Sequence, residues 1–160
     1  TNHWNYEIVN LGYKYNMNDL TAAIGIAQLK KINILNKKRS NILKKYLSGI
    51  KNCKYIKPAY PYMLKNSSYW LFSVKTKYRD ELINFMKLKN ISTAVHFVPL
   101  PLNKIYKKYN KNLKNAMKVW KDIVSLPFFP DLENKKINYI INCLNQFDKK
   151  INNFKNYENI

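Results

Sequence analysis

Glycine, cysteine, arginine and acid are all scarce in this chain of 160 residues, and each scarcity removes a class of function. Three glycines (Gly12, Gly25, Gly49) leave no material for a Gly-rich phosphate loop or a dinucleotide fingerprint, so any nucleotide chemistry is housed elsewhere. Two cysteines, Cys53 and Cys143, stand 90 positions apart with no C-x-x-C pairing, which indicates neither a disulfide framework nor a zinc site and suits a reduced, cytoplasmic setting. The nine Asp and Glu include no spaced pair that reads as general acid and base. Asp19, Asp80, Glu81 and Asp131 each stand where a helix start favours an acid. No metal cluster and no pairing of nucleophile with base is visible. No apolar run approaches the ~20 residues of a membrane span, so no membrane partner is expected.

What is present points to a folded domain. Hydrophobic residues make up 46% and aromatics 14%, against intrinsic disorder, and the length suits about one domain. Lys and Arg number 29 against those nine acids, giving +20, which on its face proposes an anionic partner. The make-up of the charge weakens that proposal. Only Arg39 and Arg79 are arginines, beside 27 lysines, 24 asparagines and 13 tyrosines, all with A/T-rich codons. Compositional drift loads permissive surfaces with such residues, whereas base-reading surfaces favour the planar Arg fork. No nucleic-acid partner is therefore expected, although a freestanding basic module binding nucleic acid or anionic lipid stands as the alternative. That alternative predicts affinity falling steeply with salt.

Residues 1–16, with Trp4, Tyr6, Tyr13 and Tyr15 around Ile8 and Val9, read as an extended lead-in. Asn18 is a good N-cap for a long helix, apolar nearly all round over 20–29 as a buried helix would be, then amphipathic up to Gly49. Pro58, Pro61 and a Lys-Asn-Ser-Ser run over 65–68 mark a loop, with a short strand at Tyr55 and Ile56. A strand is expected over 69–76, a helix opening at Arg79 with Leu82, Phe85 and Met86 inward, and a second strand over 92–98 stopped by Pro99 and Pro101. Helical stretches follow over 103–109 and 113–123, then a short edge strand over 125–130. Asp131 is placed as the cap of a last helix whose stripe runs Ile137, Ile140, Ile141, Leu144, Phe147, Ile151 and Phe154. The order describes an α+β domain with helices packed on a small sheet.

Two features could carry chemistry. His96 shares a strand face with Ala94 and Ser92, whose small side chains leave space in front of the imidazole; a core histidine with its bonds satisfied fits the residue as well. His3 is terminal and uninformative. The string Leu11 to Leu20 presents tyrosine hydroxyls and the Lys14 cation ahead of the helix, which suits an anion, and an amphipathic lead-in explains it nearly as well.

The string Gly12-Tyr13-Lys14-Tyr15-Asn16-Met17-Asn18-Asp19-Leu20, followed by Ala22-Ala23-Ile24-Gly25-Ile26-Ala27-Gln28-Leu29, resembles the segment that joins the large and small domains of the pyridoxal-phosphate-dependent sugar-nucleotide aminotransferases of the DegT/StrS type. Four further motifs continue the resemblance in order: Ser68 to Phe72, Arg79 to Leu82, Thr93 to Leu100 around His96, and Ser125 to Leu132. The Tyr-Lys-Tyr-Asn form resembles most the aminotransferases acting on a UDP-linked 4-keto pentose, the aminoarabinose type, with perosamine-type enzymes also similar.

The resemblance implies the C-terminal small domain of a fold-type I pyridoxal-phosphate-dependent transferase over 19–160, preceded by a linking segment over 1–18. The full-length enzyme would take nitrogen from glutamate, hand it to a nucleotide-linked keto sugar for cell-surface polysaccharide or lipid A, and work as a homodimer. Its Schiff-base lysine would lie upstream, so no catalytic residue is assigned and the fragment alone should be inactive. By position, Lys14 and Asn16, with Tyr13 and Tyr15 beside them, would approach the phosphate of pyridoxal 5'-phosphate in the partner subunit, and His96 would face the sugar. The chain departs from the pattern twice. Many relatives carry Asn and Arg where Lys14 and Asn16 stand, and many place a second histidine at the position of Pro101. A degenerate fragment that keeps only the fold is a third reading.

Overall fold

The computed structural model describes residues 7, 9–60, 67–109 and 113–157. His3, Trp4, Tyr6, Ile8, Pro61, Lys65 and Asn66 lie outside the described residues. The chain divides into two compact units, Thr1–Asn33 and Ile34–Ile160.

In the first unit, the Asn18 side chain accepts from the Thr21 N–H at 2.8 Å and Asp19 occupies the first turn, so helix α1 (Asp19–Leu29) starts as its capping residues dictate. Two expectations fail here. The helix expected to run unbroken to Gly49 stops at Leu29, because the Lys31 N–H bonds the Gln28 carbonyl at 3.0 Å and tightens the ladder to three-residue spacing. Helix α2 (Ile32–Gly49) restarts beyond that turn. The all-round apolar stretch is also not buried: Leu20, Ile24 and Leu29 are 74%, 57% and 67% exposed. A unit of this size has too few residues to enclose such a helix.

The second unit is organised by a three-stranded antiparallel sheet in the order β1 (Lys57–Pro58), β2 (Phe72–Lys75), β3 (Ile123–Leu126). Phe72 opposes Leu126 and Val74 opposes Val124, so alternation puts these four on one face. That face packs on α2, on α3 (Arg79–Leu88) and on α5 (Asn134–Tyr157), with Tyr46, Leu82, Met86, Ile137 and Leu144 buried. Tyr46 stacks on Phe72 at 4.7 Å between ring centroids, and its hydroxyl donates to the Pro127 carbonyl at 2.8 Å. Asp148 of α5 accepts backbone N–H bonds from Lys54 and Tyr55 at 2.8 and 2.7 Å, tying that helix to the loop after α2. The stripe on α5 is buried from Ile137 to Ile151, while Ile141 is half-buried and Phe154 exposed. The α+β class is as the sequence indicates.

Several boundaries move. The strand expected at Tyr55 and Ile56 forms two residues later, and the one over 69–76 shortens to Phe72–Lys75. The strand expected over 92–98 is reduced to Ala94, which exchanges both backbone bonds with Ser125 at 3.0 and 2.7 Å. Phe97 adopts φ 51°, a left-handed conformation that ends extended pairing for a bulky residue. The stretch over 103–109 is a 3₁₀ segment, Lys104–Tyr109, preceded by a 3₁₀ turn at Leu100–Leu102, and helix α4 is Lys114–Asp122. β3 starts two residues earlier than expected and gains Ala94 on its outer side. Asp131 does not cap α5. It sits in a turn closed by the Leu132 N–H on the Phe129 carbonyl at 3.1 Å and pairs with Lys38 at 2.7 Å; the first bond of α5 runs from Ile137 N–H to the Glu133 carbonyl.

Candidate functional site

The candidate residues fall in the two different units. In the first, Tyr13 and Tyr15 are 85% and 84% exposed, and their rings sit 5.7 Å apart, which is what a spacing of two puts on one side of an extended segment. Lys14 and Asn16 alternate with them and are exposed as well. An ammonium, a carboxamide and two phenols within four consecutive residues form a donor set suited to a phosphate.

His96 belongs to the second unit, where the structure surrounds it more closely. The sheet face opposite the core carries Ser73 and Ser125, with Leu71 and Ala94 beside them, and α4 lies over it with Ala116, Val119 and Trp120. Between them is a cavity of about 570 Å³, within the range of small-molecule sites. His96 lines it, with its ring 6.3 Å from that of Trp70 and 6.1 Å from that of Phe97. Its Nε2 is buried and has no hydrogen-bond partner among the described residues. The cavity beside His96 is lined by Ala94, Ser73 and Ser125, while Ser92 is exposed and does not line it.

Trp120 lies on the helix expected over 113–123 and had no part assigned to it from the sequence. Its indole Nε1 is likewise buried without a partner among the described residues, and it lines the same cavity. The Arg79 guanidinium lies 5.7 Å from the centre of its ring. The available signal was an indole, with an obligatory N–H donor, on the helix preceding a strand of small residues. None of the residues lining the cavity is a lysine, arginine, aspartate or glutamate.

Elsewhere the chemistry is quiet. Cys53 and Cys143 are both buried and free. Burial, with the nearby Asp148 carboxylate, pushes the Cys53 thiol up to about 11 against the opposing pull of Lys57. Among the described residues no group of three or more His, Cys, Asp or Glu could hold a metal ion, and no helix is long and apolar enough to cross a membrane.

The sequence model of the DegT/DnrJ/EryC1/StrS aminotransferase family matches residues 1–145. Uncharacterized protein MJ1066 of Methanocaldococcus jannaschii is 37% identical over 157 residues, covering 88% of this chain and 39% of that protein. The spore coat polysaccharide biosynthesis protein SpsC of Bacillus subtilis is 28% identical over 157 residues, covering 91% of this chain and 40% of SpsC. Among solved structures, the PLP form of Spr1654 from Streptococcus pneumoniae, provisionally named a sugar aminotransferase, superposes with a TM-score of 0.78 at 28% identity. That match covers 94% of this chain and 41% of Spr1654. The chain thus spans about two fifths of the length of the relatives it matches.

Proposed function

The chain belongs to the DegT/DnrJ/EryC1/StrS aminotransferase family, and from that premise we propose that it forms part of a pyridoxal-phosphate-dependent enzyme that moves an amino group from glutamate to a nucleotide-linked keto sugar. The product would serve cell-surface polysaccharide or lipid A sugar synthesis in the cytoplasm. Residues 19–160 are the small domain and 1–18 the segment linking it to a large domain that holds the reactive lysine. This chain is then inactive alone and works in a homodimer.

When bound, pyridoxal phosphate supplies the electron sink for amino transfer. The chain's own residues bind and orient. Lys14 contributes a positive charge and Asn16 an amide donor to the cofactor phosphate, flanked by the Tyr13 and Tyr15 hydroxyls. The high exposure of the two rings supports a role that another surface completes, since an anion held there would otherwise stay in water. His96 faces the sugar. The observation that carries this assignment is the place of His96 in the lining of an open cavity of about 570 Å³ that has no charged side chain in its wall.

Assaying the full-length protein and this chain side by side tests the proposal. The full-length protein should convert a nucleotide-linked 4-keto sugar to the amino sugar with glutamate as donor, and the chain alone should not. Activity of the chain alone, or a full-length protein inert toward every such sugar, contradicts it.

A further inference from the structure

Where β2 ends, Lys75 and Lys77 join Lys54 of the loop after α2 and Lys155 of α5 in the lining of another cavity, of about 430 Å³. Four of its eight lining residues are lysines, against 27 of 160 in the chain, and none of the eight lines the cavity beside His96. Compositional drift explains how many lysines the chain has but not this concentration. Asp122, the last residue of α4, is the one acid in the lining, so four positive charges less one negative leave +3. We infer that this cavity is a binding site for a compact polyanion, the diphosphate group of a small molecule.

Lys54, Lys75 and Lys77 are exposed, and among the described residues none of the three forms an ion pair, although Asp122 shares their lining. Lys54 Nζ donates to the Asn152 carboxamide oxygen at 3.3 Å, an uncharged partner that an anion can displace. The strand register adds to the repulsion. Lys75 stands directly opposite Lys57 across β1 and β2, and like charges so placed destabilise a sheet. Two further charges beside the lining are of opposite sign and leave the balance unchanged: Lys57 itself, and Asp148, which accepts from the Lys54 and Tyr55 backbone. A diphosphate, with two or three negative charges, offsets this repulsion, and phosphate oxygens accept lysine as a point charge. The four lysines come from the loop after α2, from β2 and the turn beyond it, and from α5, so they surround a compact group. An extended polymer such as nucleic acid instead needs cations in a row along its backbone.

Equilibrium dialysis of the full-length protein against inorganic pyrophosphate, at fixed ionic strength and with UDP as competitor, tests the site. The parent should bind pyrophosphate saturably, and the pair Lys75→Gln with Lys77→Gln should weaken that binding about tenfold. The pair Lys37→Gln with Lys44→Gln removes the same charge from exposed positions on α2 and should leave it within about twofold of the parent. Lys54→Gln, on a different stretch of chain, gives an independent reading if the first pair fails to fold, and should weaken binding severalfold. UDP that displaces pyrophosphate from the parent identifies a nucleoside diphosphate as the occupant, and UDP that does not identifies a free polyphosphate; both uphold the site. Absence of saturable binding, binding that the Lys75 and Lys77 substitutions leave unchanged, or an equal loss in both pairs overturns it. None of these results touches the aminotransferase reading, in which no residue of this lining has a part.

Discussion

The hydroxyls of Ser73 and Ser125 meet 2.6 Å apart across β2 and β3, both buried, on the sheet face that fronts the cavity. Their Cα atoms are directly paired in the register, so the strand pairing itself brings the two oxygens together. Replacing either serine by alanine removes a buried partner and should cost about 1 to 3 kcal/mol. Replacing both should cost less than the sum of the two. A double-mutant cycle on denaturant midpoints checks this, and strict additivity would show that the contact contributes nothing.

Gly49 ends α2 against α5. A Cβ built there would lie 2.6 Å from Ile141 Cγ2 and 2.7 Å from its Cδ1. Gly→Ala in a helix ordinarily gains roughly 0.5 to 1 kcal/mol, but this contact should reverse the sign and give a net loss of about 1 to 3 kcal/mol from overpacking. In an Ile141→Ala background the same substitution should become neutral or stabilising. Thermal melts of the four proteins show whether the background changes the sign.

The Cys53 thiol sits at about 11 in the folded chain against an ordinary 9.0, with burial as the main cause. Its folded value is raised, so the stability it contributes is complete below pH 9.0 and is lost as pH climbs to about 11, where the unfolded thiol ionises first. A Cys53→Ala variant should therefore fall less in stability than the parent over that window. Parallel curves for the two would rule out the thiol as the cause. At neutral pH a thiol reagent should label Cys53 only after unfolding.

Lys14→Ala in the full-length protein should weaken cofactor retention, while in this chain alone, where the side chain is exposed, it should leave the unfolding midpoint in place. Dialysis followed by absorbance of the retained cofactor measures it. Unchanged retention removes Lys14 from the phosphate site.

The sequence made legible those features that are set by a few neighbouring residues. The Asn18 cap follows from a side chain bonding adjacent backbone and the opening of α3 at Arg79 from the acids Asp80 and Glu81 in its first turn, and both appear where expected. The expected strand around His96 shortened to one bridge because Phe97 turns left-handed, and periodicity does not register a single dihedral. Asp131 looked like a cap because a helix start favours an acid, but its partner is Lys38, 93 positions away. Openness in front of His96 was legible from Ala94. The part of Trp120 was not, because it depends on α4 crossing the sheet face, a contact made in space. The apolar α1 read as buried because composition reports what a helix can be covered by, not what this chain supplies.

The most direct measurement is the absorbance of the full-length protein's bound cofactor as glutamate is added. The account predicts that the protein carries pyridoxal phosphate and that its absorption band shifts on adding glutamate, then returns when a nucleotide-linked 4-keto sugar follows. A full-length protein with no cofactor band, or with a band that glutamate leaves unmoved, contradicts it.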